Sequence, residues 1–351
     1  MRSRLIYMIL SLVTAVLAAS NAPGPIGFLI DVHGEVSLRR TAWSHSQPVG
    51  LGTELRSGDT IRLKANAKAM ILCPDLLTSW EPSAKSDRGV FEGCPAGSET
   101  IRMRDGQEAL GVRNPEPEPS VLTPSNTAIL DPKPWIRWEA VPGTNRYRVS
   151  VWDSSGPSTP VWGPALVNGT SIQYAGKPAL ATGLRYFVRV TADGGSSAQG
   201  RPFFLAPGDL QQSVDERRRK LKAAITEEAP REVAIAVYLL SQRLTADALP
   251  LLDSLVVKSD SAALQLLRAK SLGEVGAKAA EIRALRSALK EADRNNQPES
   301  KAESLQELAR LALKRSETME LSRRAARIFR ELGETARAEA AERLGRSEGK
   351  Q

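Results

Sequence analysis

Few residues of this chain have the chemistry to act on another molecule, and their spacing limits what they could do. Two histidines, His33 and His45, and two cysteines, Cys73 and Cys94, are the whole imidazole and thiol inventory. Acid–base and nucleophilic catalysis call for a positioned imidazole, a thiolate or paired carboxylates. Ser44-His45-Ser46 sets hydroxyls beside an imidazole, but neighbouring residues of an extended strand point to opposite faces, which separates them. Asp59, in "SGDT", reads as a turn residue. Two cysteines cannot complete a structural zinc site, and both histidines lie too far upstream for its spacing. "ADGGSSAQG" (192–200) is rich in glycine but lacks the lysine and threonine of a nucleotide loop, so it reads as a hairpin. Arg217, Arg218, Arg219 and Lys220 share a helix with Asp215 and Glu216, which favours a solvated face over an anion site. The expectation is a protein with no catalytic residue, no cofactor and no metal.

The thiols become informative once the compartment is considered. "MRSRLIYMILSLVTAVLAASNA" (1–22) has a basic start at Arg2 and Arg4, an uncharged apolar run from Leu5 to Ala19, and small residues after it. This is the layout of a secretory signal peptide. The run is shorter than the roughly 20 residues of an unaided membrane span. Cleavage is expected after Ser20, because Ala18 and Ser20 are small and Pro23 disfavours a later cut; a retained anchor is the alternative. No cysteine stands at the cut, which argues against a lipoprotein. Export predicts a Cys73–Cys94 disulfide, against two buried free thiols. It also predicts a periplasmic or envelope-associated bacterial protein with peripheral or no membrane contact once the leader is gone.

The net charge of +8 raises the question of a polyanionic partner. From Asp209 onward, 27 Lys or Arg are interspersed with 23 Asp or Glu, so the excess is thinly spread. No basic stripe runs beside stacking aromatics, and no nucleic-acid partner is expected.

Three textures follow the leader. Residues 25–113 alternate polar and apolar residues in short runs between glycines and aspartates. "GEVSLRR" puts Val36 and Leu38 on one face, "DTIRLKA" does the same with Ile61 and Leu63, and "AKAMILC" is an apolar strand ending at Cys73. "LRSGD" (55–59) is a turn between strands. Gly52, Leu55, Gly58, Asp59 and Ile61 match a "G-x-x-L-x-x-GD-x-I" spacing that resembles the FecR-like domain of bacterial envelope proteins, over about a quarter of the chain. The resemblance implies an extracytoplasmic β module. The cytosolic, sigma-factor-holding segment of FecR itself has no counterpart ahead of the leader, so that role is not carried over. "NPEPEPSVLTP" (114–124) alternates proline and glutamate, which predicts an extended linker.

Residues 119–206 hold the aromatic cluster. In "WIRWEA" one strand parity carries Ile136, Trp138 and Ala140; in "RYRVSVWD" one carries Tyr147, Val149 and Val151; in "LRYFVRV" one carries Leu184, Tyr186, Val188 and Val190. Trp138, Tyr147, Val149, Leu180 and Tyr186 resemble the framework of a fibronectin type III-like sandwich, which implies that Trp138 and Tyr147 are core. Trp135 and Trp152 have the opposite parity and should point outward, either to pack beneath a neighbouring domain or to stack on a sugar ring, and Trp162 could join either arrangement. Asn168-Gly169-Thr170 matches a glycosylation sequon, but Asn-Gly favours a hairpin turn.

From Gly208 the apolar spacing lengthens to three and four. Helices are expected over 209–227, 231–243, 245–258, 260–273, 276–294, 299–314, 317–331 and 334–345, with Asp209 or Ser213 capping the first and Pro230 and Pro298 opening others. Small residues at close approaches and "LGE" at 272–274 and 332–334 resemble degenerate tetratricopeptide-like repeats over 208–346, with a plain helical bundle as the alternative. The expected fold class is multidomain β plus α: an all-β FecR-like module, a sandwich and a helical solenoid. The expected function is a non-enzymatic envelope scaffold whose helical groove holds a protein partner. The alternatives are a cell-wall glycan-binding accessory protein using Trp135, Trp152 and Trp162, and an extracytoplasmic signalling component related to FecR regulators.

Overall fold

The computed structural model describes residues 26–83, 87–96, 119–156 and 159–347. The expected leader, its cut after Ser20 and the first half of the Pro/Glu linker lie outside them. β-Sheets occupy the N-terminal part and helices the C-terminal part. Among the described residues no helix is long and apolar enough to cross a membrane.

The first β module contains β1 (Ile26–His33), β2 (Val36–Arg39), β3 (Gln47–Pro48), β4 (Glu54–Arg56), β5 (Thr60–Leu63), β6 (Lys68–Leu72), β7 (Ser79–Trp80) and β8 (Arg88–Gly89). They form two four-stranded sheets ordered β4-β1-β6-β7 and β3-β2-β5-β8. The alternation in β2 and β5 sets their register: Val36 lies opposite Leu63 and Leu38 opposite Ile61, all four side chains inward. Cys73, just past β6, is disulfide-bonded to Cys94, with their Cα atoms 5.7 Å apart. The ring pins the segment carrying β7 and β8 to the sheet, a constraint on the unfolded chain of roughly 3 kcal/mol.

The second module contains β9 (Val121–Thr123), β10 (Ala128–Ile129), β11 (Trp135–Trp138), β12 (Arg146–Asp153), β13 (Trp162–Asn168), β14 (Ser171–Gln173), β15 (Tyr186–Ala192), β16 (Ser197–Gln199) and β17 (Phe204–Leu205). A sheet ordered β14-β11-β9 and another ordered β13-β12-β15-β16 bury one core, and β10 pairs with β17. The end of the Pro/Glu stretch is therefore not linker, since Val121–Thr123 pair with β11. Trp138 and Tyr147 are buried at the centre, edge to face with ring centroids 5.4 Å apart. The Tyr147 hydroxyl accepts from Val141 N and donates to Thr144 O, which fixes the turn between β11 and β12. Asn168-Gly169 is a turn but not a hairpin: β13 pairs with β12 and β14 with β11, so the chain crosses between sheets there.

The helices are α1 (Gly208–Ala224), α2 (Glu228–Ser241), α3 (Thr245–Lys258), α4 (Ala262–Val275), α5 (Lys278–Arg294), α6 (Pro298–Leu311), α7 (Arg315–Glu331) and α8 (Thr335–Ser347). Consecutive helices pack as hairpins, and α6 also touches both α4 and α8, so that the three form one layer. Pro298 opens α6 and Pro230 is the third residue of α2, within its first turn, but neither Asp209 nor Ser213 caps α1, whose first residue follows Pro207. The two "LGE" triplets are not equivalent. Gly273 is inside α4, which ends at the left-handed Gly276, whereas Gly333 is itself left-handed (φ +83°) after α7, in the other layer. A Cβ on Gly333 would stand 2.4 Å from Ala42 O, so glycine is required there for backbone approach as well as for φ.

The first module and the helices share a core. Ile26, Phe28, Ile30, Leu72 and Leu76 pack with Val214, Leu221, Val233 and Val237 of α1 and α2.

Candidate functional site

The most elaborate side-chain constellation lies where the first module meets the layer of α4, α6 and α8. Its centre is Arg40, one residue beyond β2 and only 5% exposed. Strand parity explains the position, because residue 40 follows Val36 and Leu38 onto the inward face. Its Nη1 donates to Asp59 Oδ2 at 2.6 Å, and its Nε and Nη2 donate to the two carboxylate oxygens of Glu299, each at 2.8 Å. A further bond runs from Nη2 to Glu54 O. Glu299 is in the first turn of α6 on the stripe that continues through Ala302 and Leu305, so the helix buries it.

From Glu299 the charges continue across the helices. Arg337 of α8 donates to Glu299 Oε1 at 3.0 Å and to Glu303 Oε1 at 2.6 Å, and Lys270 of α4 stands 3.9 Å from Glu303. Trp43 Nε1 donates to Glu334 at 3.0 Å, and the Arg40 guanidinium lies 5.3 Å from the Trp43 ring centre. Ser261 caps α4 by accepting from Leu264 N, and its hydroxyl donates to Leu51 O of the first module.

Burial sets the energetics of this seam. Burial alone would pull the Arg40 guanidinium down, but Glu299 and Asp59 outweigh it and hold the group above its ordinary range. Burial pushes the Asp59 carboxyl up against the opposing pull of Arg40. Burial also works against the Glu303 carboxylate, but Lys270 and Arg337 prevail and bring its pKa down to about 2. The Arg40 guanidinium and the Glu303 carboxylate are charged at neutral pH. Such a bidentate, desolvated arrangement fixes geometry, and removing one member leaves its partners buried without compensation.

The seam corrects the sequence reading of Asp59. Its carboxylate does accept from Arg56 N within the turn, as "LRSGD" predicts, and it also anchors Arg40. Ser44 and His45 need a second correction. They sit in a loop rather than a strand, so their side chains meet, with Ser44 Oγ 2.8 Å from His45 Nδ1 in an exposed position.

The three candidate tryptophans do not converge. Trp135 is 57% exposed at the start of β11. Trp152 is on the other sheet, half-buried, with Nε1 donating to Ser150 Oγ and the Arg189 guanidinium 4.5 Å from its ring centre. Trp162 packs against the core edge to face with Tyr174. Arg137, on the outward parity of Trp135, pairs with Asp253 of α3 at 3.2 Å.

Helix ends hold the second module. Ser125 Oγ donates to Val275 O and Asn126 Nδ2 to Glu274 O, both at 2.8 Å, while Thr127 Oγ1 also reaches Arg243 O. Trp43, Arg40 and Glu299 were not distinguished from sequence. The available signal was a charged residue on an apolar parity at Arg40, and on an apolar helical stripe at Glu299.

No protein-family model matches the chain, and no curated protein matches it.

Proposed function

We propose that the protein is an exported, non-enzymatic scaffold of the bacterial cell envelope, in which a FecR-like module and a fibronectin type III-like module are mounted on tetratricopeptide-like helices. The observation that carries this reading is the charged seam. Arg40, held by Asp59, engages Glu299, and Trp43 engages Glu334, which ties the first module to the helical layer. The Cys73–Cys94 disulfide supports an oxidising compartment. The hydrogen bond from Ala181 N to the Tyr186 hydroxyl supports the sandwich reading, because a tyrosine tied to upstream backbone marks that family's corner.

In this reading the chain's own first module occupies the inner face of α4, α6 and α8, and an external protein docks on the outward layer. That layer exposes Arg286 and Lys290 of α5 and Arg323 and Arg327 of α7. The test is site-specific photocrosslinking in living cells, with the probe at Arg286 or Arg327 and, for comparison, at Lys270. Outward positions should give crosslinks to a second protein in the envelope fraction, and Lys270 only crosslinks within the chain. Recovery of the chain in the cytoplasm, or intermolecular crosslinks from Lys270 alone, would refute the proposal.

A glycan-binding reading keeps one specific observation, the exposed indole of Trp135. Retention on peptidoglycan that Trp135→Ala abolishes would establish it.

A further inference from the structure

Between the first module and the helices lies a cleft of about 750 Å³. Asp31, His33 and Gly50 line it from the β side, and Lys258, Ser261 and Gln297 from the helical side. Gln297 is 7% exposed, and its buried Oε1 has no hydrogen-bond partner among the described residues. An unpaired buried acceptor is costly, so its presence in the wall of an open cleft marks a place where a donor belongs.

A second, separate feature stands at the β side of this cleft. The pairing of β1 with β6 shifts register between Leu29 and Asp31, a bulge of the kind that re-aims side chains. Beyond it Asp31 and His33, two residues apart, share one face of the strand. His33 Nε2 is 3.3 Å from Asp31 Oδ2. Two ligands of a tetrahedral ion with bonds of ~2.1 Å lie about 3.4 Å apart, so this pair already has ligand spacing. Glu227 supplies a third donor from the helical side. It precedes α2 as the N-cap residue, but its side chain makes no capping bond. The ligand atoms of Asp31, His33 and Glu227 lie within 4.8 Å of one another. His33 and Glu227 are exposed, which leaves both free to close around an ion.

We propose that Asp31, His33 and Glu227 form a binding site for a zinc-class divalent cation that bridges the first β module and the start of α2. One imidazole and two carboxylates suit zinc better than calcium or magnesium, which prefer all-oxygen sets with more ligands. Three protein ligands leave a coordination position for water or for a ligand in the adjoining cleft.

The test titrates zinc chloride into the EDTA-treated full-length chain, free of any histidine tag, by calorimetry, with calcium chloride as the comparison. Zinc should bind at one site, with a Kd on the order of micromolar, and calcium far more weakly. His33→Gln and Glu227→Gln should each weaken zinc on the order of tenfold or more. His45→Gln, at the only other histidine, should bind as the wild type does. Zinc should also raise the melting temperature of the wild type and not of His33→Gln, because an ion bound only to the folded chain stabilises it. Both His33 and Glu227 are exposed, so the metal-free variants should melt with the wild type. Zinc binding that survives His33→Gln or Glu227→Gln undiminished overturns the site, as does the absence of saturable binding below roughly 1 mM.

Discussion

The two β modules are attached to the helices by different means. The first gives up part of its own core: Phe28, Ile30 and Leu72 face α1 and α2, and Arg40 is buried against α6. The second keeps a core drawn almost wholly from its own strands; it lends the helical cores only Ala128, Ala206 and the partly buried Leu122 and Leu130, and its remaining contacts include hydrogen bonds at helix ends and a partly exposed ion pair to the middle of α3. A module sharing much of its apolar surface should behave as an element of a larger fold, whereas one joined mostly at polar points should behave as a domain in its own right. Similar content in β-strands does not make the two equivalent.

Excision should separate them most sharply. Residues 119–206 produced alone should unfold in a single cooperative transition, whereas residues 26–96 alone should show no such transition, because Phe28, Ile30 and Leu76 would face water. Circular dichroism against denaturant reads both, and a cooperative isolated first module would remove the distinction.

Next in size is Arg40→Ala, expected to destabilise the full chain by ~3–5 kcal/mol, since Asp59 and Glu299 would stay buried without the cation that both of them contact. A loss below about 1 kcal/mol, typical of surface pairs, would show that water reaches the seam.

Within the helices, Glu281 is buried beside Gly273 of α4, and burial together with Glu307 pushes its pKa up to about 7. The folded state therefore binds a proton more tightly than the unfolded chain, and stability declines as pH rises from about 4.5 towards 7, with the full penalty above that. Glu281→Gln should remove this slope and stabilise the protein at pH 8 by about 3 kcal/mol at most. Unchanged pH dependence of the melting temperature in the variant would contradict it.

Ser125→Ala probes the attachment of the second module. Its hydroxyl donates to Val275 O and accepts from Arg201 N, so the loss should be about 1–3 kcal/mol. Trp135→Ala should change stability by no more than about 0.5 kcal/mol, because the indole is largely exposed. A larger effect would mean that Trp135 supports packing against the helices.

Much of this architecture was legible in the sequence, because local periodicity reports which face is buried. Eight helices were expected and eight are present among the described residues, with ends displaced by a few residues where capping is weak, as at Pro207 before α1. Trp138 and Tyr147 followed their aliphatic neighbours inward. The seam was not legible. Arg40 and Glu299 are 259 residues apart, and neither points to the other. The inward parity of Arg40 announced that something must neutralise it but not what. Asn168-Gly169 misled for a related reason: turn chemistry fixes the local bend and leaves open which strands pair on either side of it.

The Cys73–Cys94 disulfide also bears on the helices. The segment it encloses includes Asp75, whose carbonyl accepts from Arg217 of α1 at 3.0 Å, and Leu76, which enters the apolar core shared with α1 and α2. The covalent loop thus provides the bearing surface on which the first helix rests. A reductant cutting that bond would act at a distance, slackening the grip on a helix that contains no sulfur of its own.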